Sequence, residues 1–183
     1  RNTWSWEVGA TAPRIVRSGD DALQTDHPAV GERWLTFSVS DGSPIDLVFC
    51  ENETNNAELF GSPNESARTK DGIDTYVVHG NEEAIDRSSG SKAAAVVRAT
   101  LEPGASISVT ARFAPADLHL PFDDAEDVLA ARRAEADEFY SALAAPRLTD
   151  DDRLVQRQAL AGLLWSKPVS YTHLRAHATV LDL

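Results

Sequence analysis

The spacing of apolar residues changes once along this chain, near Pro115, and that change limits what it can fold into. Upstream, short runs alternate at two-residue spacing between clusters of Gly, Pro, Asn, Asp and Ser, the pattern of antiparallel strands. Strands are expected at Trp34 to Val39, Ile45 to Cys50, Thr75 to His79, Ala93 to Leu101 and Ser106 to Phe113. In the last of these Ile107, Val109, Ala111 and Phe113 share one face. Ser40-Asp41-Gly42-Ser43-Pro44 and Glu102-Pro103-Gly104 read as hairpin connectors, and Gly61 to Gly72 as a longer loop.

Downstream the period is helical, first over Asp123 to Ala145 and then, past Pro146, over Asp150 to Lys167. Val128, Leu129, Ala131, Ala136, Phe139, Tyr140 and Leu143 form an apolar stripe on the first helix, and Asp123, Asp124 and Glu126 sit in its opening turn, where the helix dipole favours them. Thr149 is placed to cap the second, with Asp150 to Asp152 behind it, and Val155, Ala159, Leu160, Leu163 and Leu164 give its buried face. Pro168 is expected to break this helix. The expected architecture is mainly β with a C-terminal α part. Residues 1–115 form part of a β-sandwich, 116–167 a linker helix and the start of an all-helical domain, and 168–183 a tail unrelated to either.

Composition narrows the partners. The 183 residues carry 17 Lys and Arg against 29 Asp and Glu, a net charge of -12, which repels phosphate backbones and anionic lipid surfaces. Nucleic acid and membrane are therefore not expected as partners, and no apolar run approaches the ~20 residues of a membrane helix. The lone Cys50 excludes an internal disulfide framework and fits a reducing, cytoplasmic setting. No Met is present, and the chain opens at Arg1 inside the strand-like run RNTWSW, so both ends read as cut.

The densest polar cluster is Glu51-Asn52-Glu53-Thr54-Asn55-Asn56, directly after an apolar strand. Paired carboxylates do general acid and base work in glycoside hydrolysis when they flank a bond. Glu51 and Glu53 are neighbours on one segment, so their side chains run parallel, and an Asx-rich stretch after a strand more often bonds its own backbone. Trp4 and Trp6 offer rings that stack on sugar faces, although a tryptophan in a sandwich is more often packing. Lys70-Asp71-Gly72 offers a pair that orients hydroxyls, or a turn with a surface ion pair. His173 and His177 are four apart, but Leu174 stands where a zinc protease has Glu, and no metal site is expected. His79 and His119 read as structural, Cys50 as a buried apolar residue. No Gly-rich phosphate cradle or serine elbow is present, and no cofactor is expected.

Five strings, RNTWSW (1–6), ENETNNAELFG (51–61), KDGIDTYVVHG (70–80), EADEFY (135–140) and RQALAGLLWSK (157–167), resemble in order and spacing the glucosidase-like proteins of glycoside hydrolase family sixty-three. The resemblance covers nearly all of residues 1–167. It implies a β-sandwich followed by an (α/α)6 barrel, with inverting hydrolysis of α-glycosides by two carboxylates on that barrel. It places those carboxylates beyond the resembling residues, so no catalytic residue is expected here and the chain is a piece that needs the missing barrel in cis. Candidate contacts to a carbohydrate substrate are Trp4, Trp6, Glu51, Asn52, Asn55, Lys70, Asp71, Trp165 and Lys167. Glu58 departs from the basic residue expected in its run, and VSYTHLRAHAT resembles translated sequencing adapter. The alternative is a carbohydrate-binding or structural β-sandwich module without catalysis.

Overall fold

The run Ile45-Asp46-Leu47-Val48-Phe49-Cys50 shows how the first part of the chain is built, because it is covered on both faces. In the computed structural model, which describes residues 11–27, 30–145 and 147–181 and side chains as far as Ser166, the described residues divide into two compact units between Phe122 and Asp123. The first unit runs β1 (Arg14–Arg17), β2 (Ala22–His27), β3 (Gly31–Val39), β4 (Ile45–Cys50), α1 (Asn56–Phe60) and α2 (Gly72–His79). A 3-10 turn (Glu82–Ala84) and strands β5 (Ser89–Gly90), β6 (Lys92–Val97) and β7 (Val109–Ala114) complete it. Five strands form an antiparallel sheet in the order β5-β1-β2-β3-β7, and β4 pairs with β6 in a second sheet. The second unit holds α3 (Ala125–Leu143) and α4 (Asp150–Leu181). A β-rich region followed by helices is thus the architecture.

Leu47 and Phe49 of β4 meet Leu23 of the larger sheet, ringed by Ile15, Leu35, Phe37 and Ile45. On the other face of β4, Val48 packs with Tyr76 and Ile73 of α2 and with Ile85. Leu47, Val48 and Phe49 are all 0% exposed, which explains why β4 is a continuous apolar run and not an alternating one. Burying one such side chain contributes about 1.5–3 kcal/mol.

Several expectations change. Thr75 to His79 is not a strand but the last turns of α2. Asp71 precedes that helix, and Gly80 closes it in the left-handed conformation at φ 68°, its N–H donating to Tyr76 O. Ile73 and Tyr76, three apart, share the face that packs on Val48, so tertiary packing overrides the strand preference of Tyr76, Val77 and Val78. Gly72 is required at the start, because a Cβ there would lie 2.1 Å from Ala84 O. The Ser40–Pro44 and Glu102–Gly104 turns do not close hairpins: β3 and β4, like β6 and β7, belong to different sheets, and each turn carries the chain across. The hairpins that form use β1 and β2, which the alternation pattern misses: β1 pairs with β2, and β2 with the expected strand β3.

The shared face of Val109, Ala111 and Phe113 is also less covered than its pattern suggests. Phe113 pairs with Leu35 and Ala111 with Phe37, yet Phe113 is 58% exposed, and the core cluster that β4 and β6 form with β1, β2 and β3 includes no β7 side chain.

In the second unit the Thr149 cap forms as expected. Asp152 N donates to Thr149 Oγ1 at 3.2 Å, and Thr149 N returns a bond to Asp152 Oδ2 at 3.1 Å, a reciprocal box. The helix does not end at Pro168: its backbone continues to Leu181. A proline removes one hydrogen bond from a ladder that the flanking turns still supply. The expected buried face of α4 is covered only in part: Leu160 is half-buried. Val155, Leu163 and Leu164 are exposed, as are Val128, Leu129, Phe139 and Leu143 of α3. The seam between the helices is polar instead. Arg157 forms an ion pair with Asp137 and lies 5.0 Å from the centre of the Tyr140 ring, while Arg153 Nε donates to Leu148 O at 3.4 Å.

Candidate functional site

Of the residues that the sequence offers as substrate contacts, five meet in one loop cluster where β4 ends and α2 begins. β4 delivers Glu51 and Asn52, the N-cap of α1 is Asn55, and the loop after α1 returns Thr69, Lys70 and Asp71 beside them. Backbone bonds close this return: Glu51 N donates to Arg68 O at 2.8 Å, and Lys70 N to Glu53 O at 3.0 Å.

Asn55 is the hub. Its Oδ1 accepts from Glu58 N at 3.2 Å and from Asn64 Nδ2 at 2.9 Å, while its Nδ2 donates to Asp71 Oδ2 at 2.8 Å. The other Asp71 oxygen accepts from Thr69 Oγ1 at 2.6 Å. The Thr69 hydroxyl and the Asn55 amide hold the Asp71 carboxyl below the usual carboxylate range, against the opposing effect of partial burial. Glu51 accepts from the Ser91 hydroxyl, whose oxygen in turn accepts Asn52 N at 2.9 Å. Lys70 Nζ donates to Thr54 Oγ1 at 3.1 Å.

This arrangement has definite chemistry. An acid that protonates a leaving oxygen needs a raised pKa, and Asp71 is shifted the other way by donors aimed at both its oxygens. The cluster clasps the end of β4 to the start of α2. Its polar groups bond one another and the local backbone, as an Asx-rich segment after a strand is expected to do.

The remaining candidates lie elsewhere. Trp4 and Trp6 fall outside the described residues, as do the side chains of Lys167, His173 and His177. Trp165 stands on α4 of the other unit and is 88% exposed. Among the described residues no group of three or more His, Cys, Asp or Glu could hold a metal ion. No described helix is long and apolar enough to cross a membrane. Cys50 is buried, and that burial pushes its thiol pKa up, so it behaves as the small apolar residue expected.

A second polar network was not visible in the sequence. Asp46 of β4 accepts from the Tyr76 hydroxyl and from Arg87, and Arg87 also donates to Glu82 at 2.7 Å and to the Tyr76 hydroxyl at 3.1 Å. The Arg87 guanidinium lies 4.9 Å from the Tyr76 ring centre. Burial works against its charge, but bonds to Tyr76 and Glu82 and the nearby Asp46 carboxylate outweigh it and raise its pKa. A polar residue inside an apolar strand, Asp46 in IDLVFC, was the available signal. Its partners lie 30 and 41 positions away, so no local pattern names them.

No family model matches this chain, and no solved structure matches it. The chain is similar to the uncharacterized protein YMR196W of Saccharomyces cerevisiae, 29% identical over 201 aligned residues that cover 91% of the chain. The match spans 18% of that protein's length.

Proposed function

We propose that the chain is the β-rich part and the first helices of a larger cytoplasmic glycoside hydrolase that cleaves α-glucosides or related small α-glycosides with inversion. In this reading the helices continue into an (α/α)6 barrel that carries both catalytic carboxylates, and the chain alone does not catalyse. The observation that carries it is the outward apolar stripe of the helical unit. Phe139 is 49% exposed, Leu163 67% and Leu164 57%, on helices whose mutual seam is polar. Such stripes require further apolar elements against them, and a helical barrel supplies these. The five ordered strings that resemble family sixty-three, and a similar protein several times longer, support the same reading.

The test uses the protein from the complete reading frame that contains these residues. It should release glucose or mannose from small α-glycosides, and proton NMR should show the β anomer forming first. The 183-residue chain alone should release none. Retention of configuration, or no release from any α-glucoside or α-mannoside by the longer protein, rules the reading out.

A further inference from the structure

The narrower of the two sheets ends in an open edge along β6. On its other side β4 is joined to Asp86, whose N–H donates to Phe49 O at 2.7 Å and whose carbonyl accepts from Phe49 N at 2.9 Å. Phe49 therefore turns its N–H and C=O away from β6. Pairing alternates along an antiparallel ladder, so Ala93, opposite Phe49, turns its own backbone groups away from β4, as do Ala95 and Val97. Among the described residues no backbone group answers them. Ala93 and Ala95 pack against the core of Leu47 and Phe49, yet both are only half-buried.

A second uncovered surface belongs to the facing layer. Val109, Ala111 and Phe113 of β7 pair with Val39, Phe37 and Leu35, so they share the face on which Phe37 and Leu35 enter the core. All three are nevertheless exposed, Phe113 at 58% and Val109 at 50%. Counted from the side where Asp86 and β5 join the layers, one layer reads β4, β6 and the other β5, β1, β2, β3, β7. One more strand on the free edge of β6 extends the short layer toward β7. Its inward side chains must be large and apolar, because Ala93, Ala95 and Ala111 leave space between the layers.

The first residues of the chain, which lie outside the described ones, have this pattern in their sequence. Trp4, Trp6 and Val8 recur at two-residue spacing, and Thr3, Ser5 and Glu7 alternate with them. The segment also has the reach. Gly90 pairs with Ile15 and abuts Cys50, since a Cβ on Gly90 would lie 2.5 Å from Cys50 O. The Cys50 and Lys92 end of the short layer is therefore beside the start of β1 at Arg14, and a strand antiparallel to β6 finishes at that end. Six residue steps from Val8 to Arg14 extend about 20 Å. One gap between sheets and the three strand spacings from β7 to β1 amount to about 17 Å.

The geometry points to the free edge of β6 as a docking site for the chain's own residues 2–8, antiparallel, with Trp4, Trp6 and Val8 opposite Val97, Ala95 and Ala93. The two indole rings then cover Phe113 and Val109, and Trp4 and Trp6 serve the core of the β-rich unit instead of touching a substrate. This assignment does not depend on the hydrolase reading, which puts its chemistry beyond α4.

The test is NMR spectroscopy of the isotope-labelled 183-residue chain. Ring protons of Trp4 and Trp6 should show NOEs to the side chains of Phe113 and Val109. The amides of Ala93, Ala95 and Val97 should exchange slowly with solvent, and combining Trp4→Ser with Trp6→Ser should speed them at least about tenfold. Ser5→Ala, on the opposite face, should leave them unchanged. Fast exchange of these amides in the parent chain would overturn the pairing, as would tryptophan NOEs confined to other surfaces or exchange that the double variant leaves unaltered. NOEs found only between chains in a mixture of labelled and unlabelled protein would also overturn it, since the occupant would then be a second copy. If the double variant does not fold, Trp6→Cys with Ala95→Cys in a Cys50→Ala background decides: a disulfide within one chain is expected on mild oxidation, and its failure to form overturns the register.

Discussion

The two units treat the same kind of residue in opposite ways. In the β-rich unit the largest apolar side chains of β4 are sealed between a sheet and a helix, and Phe49 is 0% exposed. In the helical unit Leu163 is 67% exposed and arginines occupy the seam. The difference is not one of composition, since both units have well-patterned apolar residues. It lies in whether the described chain supplies the facing layer. β4 finds one on each side, whereas two helices that meet through Arg157, Asp137 and Tyr140 leave their stripes without one.

The sharpest way to break this contrast is Phe49→Ala. Removing a fully buried aromatic ring costs about 3–5 kcal/mol, a large share of the ~5–15 kcal/mol that stabilises an ordinary domain. Urea unfolding followed by Trp34 fluorescence, in a background with Trp4, Trp6 and Trp165 replaced by Phe, should show the midpoint of the β-rich unit falling steeply or its transition disappearing. A change below about 1 kcal/mol would mean that β4 is not enclosed as described.

What the sequence disclosed follows the same division. Strand β4 and the spans of α3 and the start of α4 were legible because each depends on a local period, and the Thr149 cap depends on residues three apart. The strand expected over Thr75 to His79 is a helix because contact with Val48, remote in sequence, selects it, and only Gly80 hints at a helix end. The turns at Gly42 and Gly104 were legible as turns, but whether the chain pairs back or crosses to another sheet is a tertiary choice. The loop cluster was half legible. Asn55 and Asp71 stood out as polar residues, yet the bond between them spans 16 positions, and only that bond shows that they engage each other.

A smaller test concerns two aspartates that illustrate the contrast electrostatically. Asp86 accepts from Ser88 Oγ at 2.6 Å and Ser88 N at 2.8 Å, then from Ser89 N, and pairs with Arg68 at 3.1 Å. The Ser88 bonds lead in lowering its pKa from 3.8 to about 2. A depressed folded pKa gives stability that is present above the unfolded value and lost as pH falls through the folded one. Asp86 should therefore stabilise the β-rich unit above about pH 4 and cease to do so toward pH 2. Its side chain is 30% exposed, so solvent screening limits the effect to about 1–2 kcal/mol. Asp86→Asn should flatten the acid limb of a stability profile over that window; an unchanged limb would assign acid sensitivity elsewhere. Asp152 of the helical unit is lowered too, by the Thr149 hydroxyl and amide, but it is fully exposed and should leave that profile unmoved.

The smallest expected effect separates an idle stripe from an interface. Leu163→Gln removes an apolar side chain that is 67% exposed in this chain, so its stability should change by no more than about 0.5 kcal/mol in a urea titration. In a longer protein whose further helices cover that stripe, Leu163 becomes a core residue, and the substitution should cost about 2–5 kcal/mol. The same substitution is then measured in both settings. A near-zero cost in both would mean that the stripe is never covered, and the barrel proposed to follow α4 would lose its main support. A large cost in the short chain would mean that Leu163 already has a packing partner, and the contrast between the two units would fail.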